Sequence, residues 1–96
     1  MRIISQDKMT DTPYDGAVVY IHRRTNKQIY VGNVGDDEGF LIGTYNSEED
    51  AVYVMSLIQQ TSMCNHKYFY MPEVEEVSAI RAKMEEASSN DSNQHG

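Results

Sequence analysis

The spacing of apolar residues changes along the chain, and each change marks an element. Arg2-Ile3-Ile4-Ser5 is a short β-branched run that predicts a first strand. Residues 6–16, polar and containing Pro13 and Asp15, read as a loop. Gly16-Ala17-Val18-Val19-Tyr20-Ile21-His22 predicts a strong strand, apolar on both faces and so expected in the middle of a sheet. The polar link Arg23-Arg24-Thr25-Asn26-Lys27 predicts a hairpin into Gln28-Ile29-Tyr30-Val31-Gly32-Asn33-Val34. A second turn, Gly35-Asp36-Asp37-Glu38-Gly39, leads into Phe40-Leu41-Ile42-Gly43-Thr44-Tyr45. Three consecutive antiparallel strands, a meander, are the simplest arrangement of these runs.

The period then turns helical. Ser47 stands where an N-cap belongs, followed by Glu48, Glu49 and Asp50, which the positive end of a helix dipole favours. Asp50 occupies the place where a capping box usually has Glu or Gln. Behind it Ala51, Val54, Met55, Ile58 and Ser62 share one face, with Leu57 beside it, so a helix is expected over 48–62. Lys67-Tyr68-Phe69-Tyr70-Met71 predicts a last strand, which Pro72 ends. From there Val74, Val77, Ile80, Met84 and Ala87 form a narrow apolar stripe on a charged segment. That stripe suits either a helix docked on the sheet or one that pairs with another subunit. Residues 88–96 offer nothing to a core and predict a disordered tail. The expected fold is α+β over 1–87: a small antiparallel sheet of about four or five strands, a central helix and a C-terminal helix.

Size and charge narrow the function classes. A chain of 96 residues buries little, so self-association would help to stabilise it, and a homo-oligomer is expected. Fifteen acidic residues against eight basic ones leave a net charge of −7, which disfavours direct binding of duplex nucleic acid. Such a surface serves solubility, or complements a basic partner. Cys64 is the single cysteine, the opening is too polar for a signal peptide and no apolar run approaches a membrane span, so a cytoplasmic protein is expected.

Catalytic patterns are weak. There is no Gly-x-Ser-x-Gly elbow, and His22, His66 and His95 are dispersed over a strand, a loop and the tail. The acidic pairs Asp36/Asp37, Glu48/Glu49, Glu75/Glu76 and Glu85/Glu86 fall in turns or on helix faces, whereas acid–base chemistry needs unlike environments. A lone Cys64-x-His66 supplies too few ligands for zinc. We therefore expect no enzyme, no cofactor and no metal. Gly32-Asn33-Val34-Gly35 lacks the Gly-Lys-Ser/Thr ending of a P-loop and reads as a bulged turn.

Two aromatic and basic groupings are candidates for binding. His22-Arg23-Arg24-x-x-Lys27 gathers three of the eight basic residues at one hairpin end. Guanidinium forks there suit a phosphate, and Tyr20 and Tyr30 on the flanking strands offer rings for a base to stack on. The competing reading makes them solubilising turn residues with tyrosines packed on the core. Tyr68 and Tyr70 share one face of the last strand and Phe69 takes the other, which suits either an interface or core packing.

The opening Met1-Arg2-Ile3-Ile4-Ser5-Gln6-Asp7 with Pro13-Tyr14 resembles short uncharacterised proteins of Gram-positive bacteria and their phages. Gly43-Thr44-Tyr45-Asn46-Ser47-Glu48-Glu49-Asp50-Ala51 and Tyr68-Phe69-Tyr70-Met71-Pro72-Glu73 are similar to two further passages of that group. Many members stop soon after the Pro-acidic motif, whereas this chain continues past Val77. The resemblance implies a phage or mobile-element accessory protein acting in the host cytoplasm, of the kind that counters defence. One such role is an oligomeric sponge for a cyclic nucleotide or ADP-ribose-type signal, as in Thoeris anti-defence proteins. The alternative is an anti-CRISPR-like acidic decoy that binds a basic host protein. A regulatory adaptor without a defence role is a third. The clustered basic residues favour the sponge over the decoy, whose expected patch is Asp36-Asp37-Glu38.

Overall fold

In a computed structural model, which describes residues 1–33 and 39–95, the elements run β1 (Arg2–Ile4), β2 (Asp11–Pro13), β3 (Ala17–Ile21), β4 (Gln28–Asn33), β5 (Phe40–Thr44), α1 (Glu48–Met63), β6 (Tyr68–Tyr70) and α2 (Val74–His95). The acidic run Asp36-Asp37-Glu38 and most of the turn expected around it lie outside the described residues, as do the side chains of 88–96, where the tail was expected. The class is α+β, with two helices and small, mostly antiparallel sheets. The described strands form two sheets of three rather than one, in the orders β2-β1-β6 and β3-β4-β5.

The first sheet corrects the reading of 6–16 as loop, because β2 lies within it and pairs antiparallel with β1. Side chains, not an apolar run, make this hairpin. The Ser5 hydroxyl donates to Asp7 Oδ1 at 2.5 Å and accepts from Thr10 N–H at 3.0 Å, while Asp7 Oδ1 also accepts from Met9 N–H at 2.9 Å. Lys8 supplies the left-handed residue at φ 64°. On its other side β1 pairs in parallel with β6, Ile3 opposite Phe69. A parallel neighbour needs a long crossover, and β2 to α1 provide it. Strand alternation then turns Ile3 and Phe69 inward and leaves Tyr68 and Tyr70 exposed.

The second sheet is the expected meander. The hairpin after β3 closes with Asn26 at φ 56° and its N–H on the His22 carbonyl at 2.8 Å. Strand β3 is at an edge, however, and β4 is central. Its two apolar faces have different uses: Val19 and Ile21 pack on the core, while Val18 and Tyr20 alternate onto the outer side. A bulge makes Ile42 the extra residue between Leu41 and Gly43 on β5. Its side chain is buried, and its carbonyl takes the Gln6 N–H at 2.8 Å.

That contact joins the two sheets. Gln6 follows β1, and its side-chain Oε1 accepts from Thr44 N–H at 3.0 Å. Its Nε2 donates to the carbonyls of Thr44 and Pro72, each at 3.1 Å. One amide thus holds the end of β1, the edge of β5 and the start of the segment that enters α2.

Helix α1 starts as expected, with Ser47 Oγ accepting from Asp50 N–H at 3.1 Å. It buries Ala51, Val54 and Ile58, and ends at Cys64, followed by Asn65 at φ 59°. These residues share one core with Ile3, Ile29, Val31, Ile42, Tyr45, Phe69, Met71 and Val77. The Tyr45 hydroxyl donates to the Pro72 carbonyl at 2.9 Å; burial, with Glu73 and Glu76 nearby, pushes its pKa up. Asp50 is the unexpected buried charge. Its carboxylate accepts from Arg81 Nε and Ser78 Oγ, both at 3.3 Å, and so ties α1 to α2. Of the stripe on α2, Val77 is buried, while Ile80 and Met84 are exposed. The helix is therefore docked at its start only.

Gln6→Ala should lower stability by about 2 kcal/mol, because it removes the side-chain bonds to the Thr44 N–H and to the Thr44 and Pro72 carbonyls, of which the Pro72 carbonyl keeps the Tyr45 hydroxyl. Gln6→Glu should do nearly as much, since a carboxylate cannot donate; urea denaturation measures both. Asp7 gives a pH prediction. The Ser5 hydroxyl and the Met9 N–H hold its pKa below the ordinary 3.8. The stabilisation is therefore present above that value and is lost as pH falls through the lower folded-state pKa. Wild type should be more stable than Asp7→Asn at neutral pH, and the gap between their urea midpoints should close as acid protonates Asp7.

Candidate functional site

The meander's outer face carries an aromatic ladder because register places it there. Tyr20 of β3 lies directly opposite Tyr30 of β4. Their rings stack with centroids 5.9 Å apart and planes inclined by 26°. The His22 ring lies 5.0 Å from that of Tyr30, tilted by 32°. His22 closes the strand pairing through its N–H on the Gln28 carbonyl at 2.8 Å. The chain then turns at Arg23 and Arg24, so both guanidiniums start from the end of the ladder.

These groups surround a half-open hollow of 660 Å³ lined by Tyr20, Ile21, His22, Arg23, Arg24, Tyr30 and Gly39. That size suits a small-molecule ligand. Arg23 and Arg24 are exposed, and among the described residues neither is in an ion pair. His22 Nδ1 is buried with no hydrogen-bond partner among the described residues. An unsatisfied buried nitrogen costs about 1–3 kcal/mol, and most buried polar atoms in folded proteins have a partner. The hollow thus has an aromatic wall for a planar ring and a cationic end for an anion, on a chain whose net charge is −7.

Five of the candidate residues read from the sequence, Tyr20, His22, Arg23, Arg24 and Tyr30, line this one hollow. Lys27 does not line it. It belongs to the same turn, with its carbonyl accepting the Tyr45 N–H at 2.8 Å. Tyr68 and Tyr70 stand on the outer face of the other sheet, their rings 6.4 Å apart, and are not part of this site. Cys64 is exposed at the end of α1, and no group of three or more His, Cys, Asp or Glu among the described residues is placed to hold a metal. No helix among them is long and apolar enough to cross a membrane.

Gly39 was missed by sequence reasoning, which treated it as the end of a turn. A Cβ there would lie 2.5 Å from the Tyr20 hydroxyl and 2.9 Å from the Val31 carbonyl. The glycine lets the chain pass against the Tyr20 phenol and so completes the wall of the hollow. A glycine five residues after a hairpin strand carries no signal of that contact.

Comparison of the chain with protein-family models, curated proteins and solved structures finds no match. The geometry is what bears on function.

Gly39→Ala tests the packing of the wall. It should displace the Tyr20 ring and cost about 1–3 kcal/mol through overpacking. In aromatic ¹³C–¹H spectra the Tyr20 and Tyr30 signals should move, while those of Tyr68 and Tyr70 stay in place.

Proposed function

We propose that the chain is a non-enzymatic binding module for a phosphate-bearing ligand with a planar base, of the cyclic-nucleotide or ADP-ribose type. It acts by withholding that ligand from a receptor, as a phage counter-defence protein. The observation that carries this reading is the convergence of Tyr20, His22, Arg23, Arg24 and Tyr30 on one hollow. Separated in sequence by a turn, they become a base-stacking wall and a phosphate fork when β3 and β4 pair.

Each group has a stated part. Arg23 and Arg24 meet the phosphate oxygens through paired N–H donors, which strengthens them over a simple point charge. Tyr20 and Tyr30 present ring surface to the base, a contact worth about 1–3 kcal/mol. His22 anchors the junction between wall and fork. Sequestration asks for affinity rather than bond-breaking, and the site offers a platform and a charge. Self-association belongs to the same reading, because a second copy over the open side of the hollow would slow release.

The test is a native mass spectrum with calorimetry, using cyclic mono- and dinucleotides and ADP-ribose derivatives on the whole chain. A nucleotide mass gained per site is expected. Arg23→Ala/Arg24→Ala should weaken it by about a hundredfold, roughly 2.7 kcal/mol. Lys27→Ala, outside the hollow, should change it little. Absence of binding across the panel, or a double variant that binds as wild type does, would refute the proposal.

A further inference from the structure

Helices α1 and α2 are tied together near their starts. Asn46 donates to Ser78 Oγ at 2.8 Å, Ser78 donates to Asp50, and Arg81 pairs with Asp50. Beside those ties a second hollow of 500 Å³ opens, lined by Glu48, Glu49, Val52, Tyr53, Ser56 and Arg81. It lies on the helical side of the molecule and shares no residue with the hollow on the sheet.

Two features make it more than a crease. The first is exposed apolar surface, with Val52 in the lining of the hollow and Ile80 and Met84 on α2 outside that lining. Val52 on α1 is 51% exposed, and on α2 Ile80 and Met84 are 41% and 50% exposed. On α2 these two continue the stripe that begins at the buried Val77, so the face that enters the core runs on without cover. The second is charge. Arg81 lies between Asp50 Oδ1 at 3.3 Å and Glu85 Oε1 at 3.7 Å, so its positive charge is already matched. Glu48 and Glu49 are exposed on the rim. Four carboxylates therefore surround one guanidinium, and the groove as a whole is negative.

We propose that this groove docks a basic amphipathic helix of another protein. Apolar residues of the partner at helical spacing would cover Val52, Tyr53, Ile80 and Met84, and its Lys or Arg residues would meet Glu48, Glu49 and Glu85. Charge decides the occupant. A second copy would bring its own α2, with Glu75, Glu76, Glu85 and Glu86 against Arg81 and Lys83. Like charges there would oppose the pairing. The inference stands apart from the ligand site and survives its failure.

The probe is a fluorescein-labelled Leu/Lys peptide with a period of 3.6, titrated into the whole chain and read by fluorescence anisotropy and amide shifts. Its controls are the same composition shuffled to break the period, and a Leu/Glu version. Saturable binding that weakens steeply with salt is expected, with shifts on α1 and α2. Val52→Asp, Met84→Asp and Glu48→Lys/Glu49→Lys should each weaken it by about tenfold. Met63→Asp, an 82% exposed position at the far end of α1, should not, nor should Arg23→Ala/Arg24→Ala. Circular dichroism checks that each variant is folded, and the rim reversal supports the argument if an apolar variant is not. Equal binding of the shuffled peptide, or shifts elsewhere, would overturn the proposal. So would sedimentation of the wild type as a dimer that Val52→Asp dissociates, because the occupant would then be a second copy.

Discussion

The Gln6 amide is the joint on which this small fold turns. Three-stranded sheets of such short strands cannot each enclose a core, so both must face the same helix and share one. Sharing requires the end of β1 to be fixed against the edge of β5. Gln6 does so with its backbone N–H on Ile42 and its side chain on Thr44 and Pro72. The bulge at Ile42 is the matching half of the joint, because it turns a carbonyl away from β4 and toward Gln6. An apolar residue at position 6 would take the Gln6 amide from the Thr44 N–H and carbonyl and leave the Pro72 carbonyl with the Tyr45 hydroxyl alone, which is why burial alone cannot replace the amide.

With its inner face committed to that core, the meander is left with an outer face of fixed geometry. Regular pairing sets Tyr20 against Tyr30, and the five-residue turn sets Arg23 and Arg24 at their end. The proposed ligand would meet groups already positioned by strands, which lowers the ordering cost of binding. The helical side is built differently. There a buried carboxylate, Asp50, holds α2 by its first turns and leaves the later turns to project with their apolar stripe open.

Local signals were legible where local chemistry decides the outcome. Ser47 capping Asp50 N–H, Asn26 in the hairpin and Pro72 ending β6 each act within a few residues, and the structure has each in place. The basic turn and its flanking tyrosines were likewise readable, because pairing across one hairpin follows from alternation. Strand β2 was not, since its pairing rests on Ser5 and Asp7 side chains and its own Asp-Thr-Pro carries no strand pattern. Nor was the edge position of β3. Apolar residues on both faces suggest a central strand, but here the outer face holds an aromatic ladder. Gln6, Gly39 and the Asp50–Arg81 tie act between residues far apart in sequence, and a single sequence does not show distance in space.

The proposed nucleotide-class ligand would sit on the ladder of Tyr20 and Tyr30. The most direct measurement is a titration of ¹³C-tyrosine-labelled protein with ADP-ribose and cyclic nucleotides, following all seven rings. Saturable upfield shifts of the Tyr20 and Tyr30 signals are expected, with Tyr68 and Tyr70 unmoved. Shifts confined to Tyr68 and Tyr70, or no shift for any ligand, would contradict the proposal.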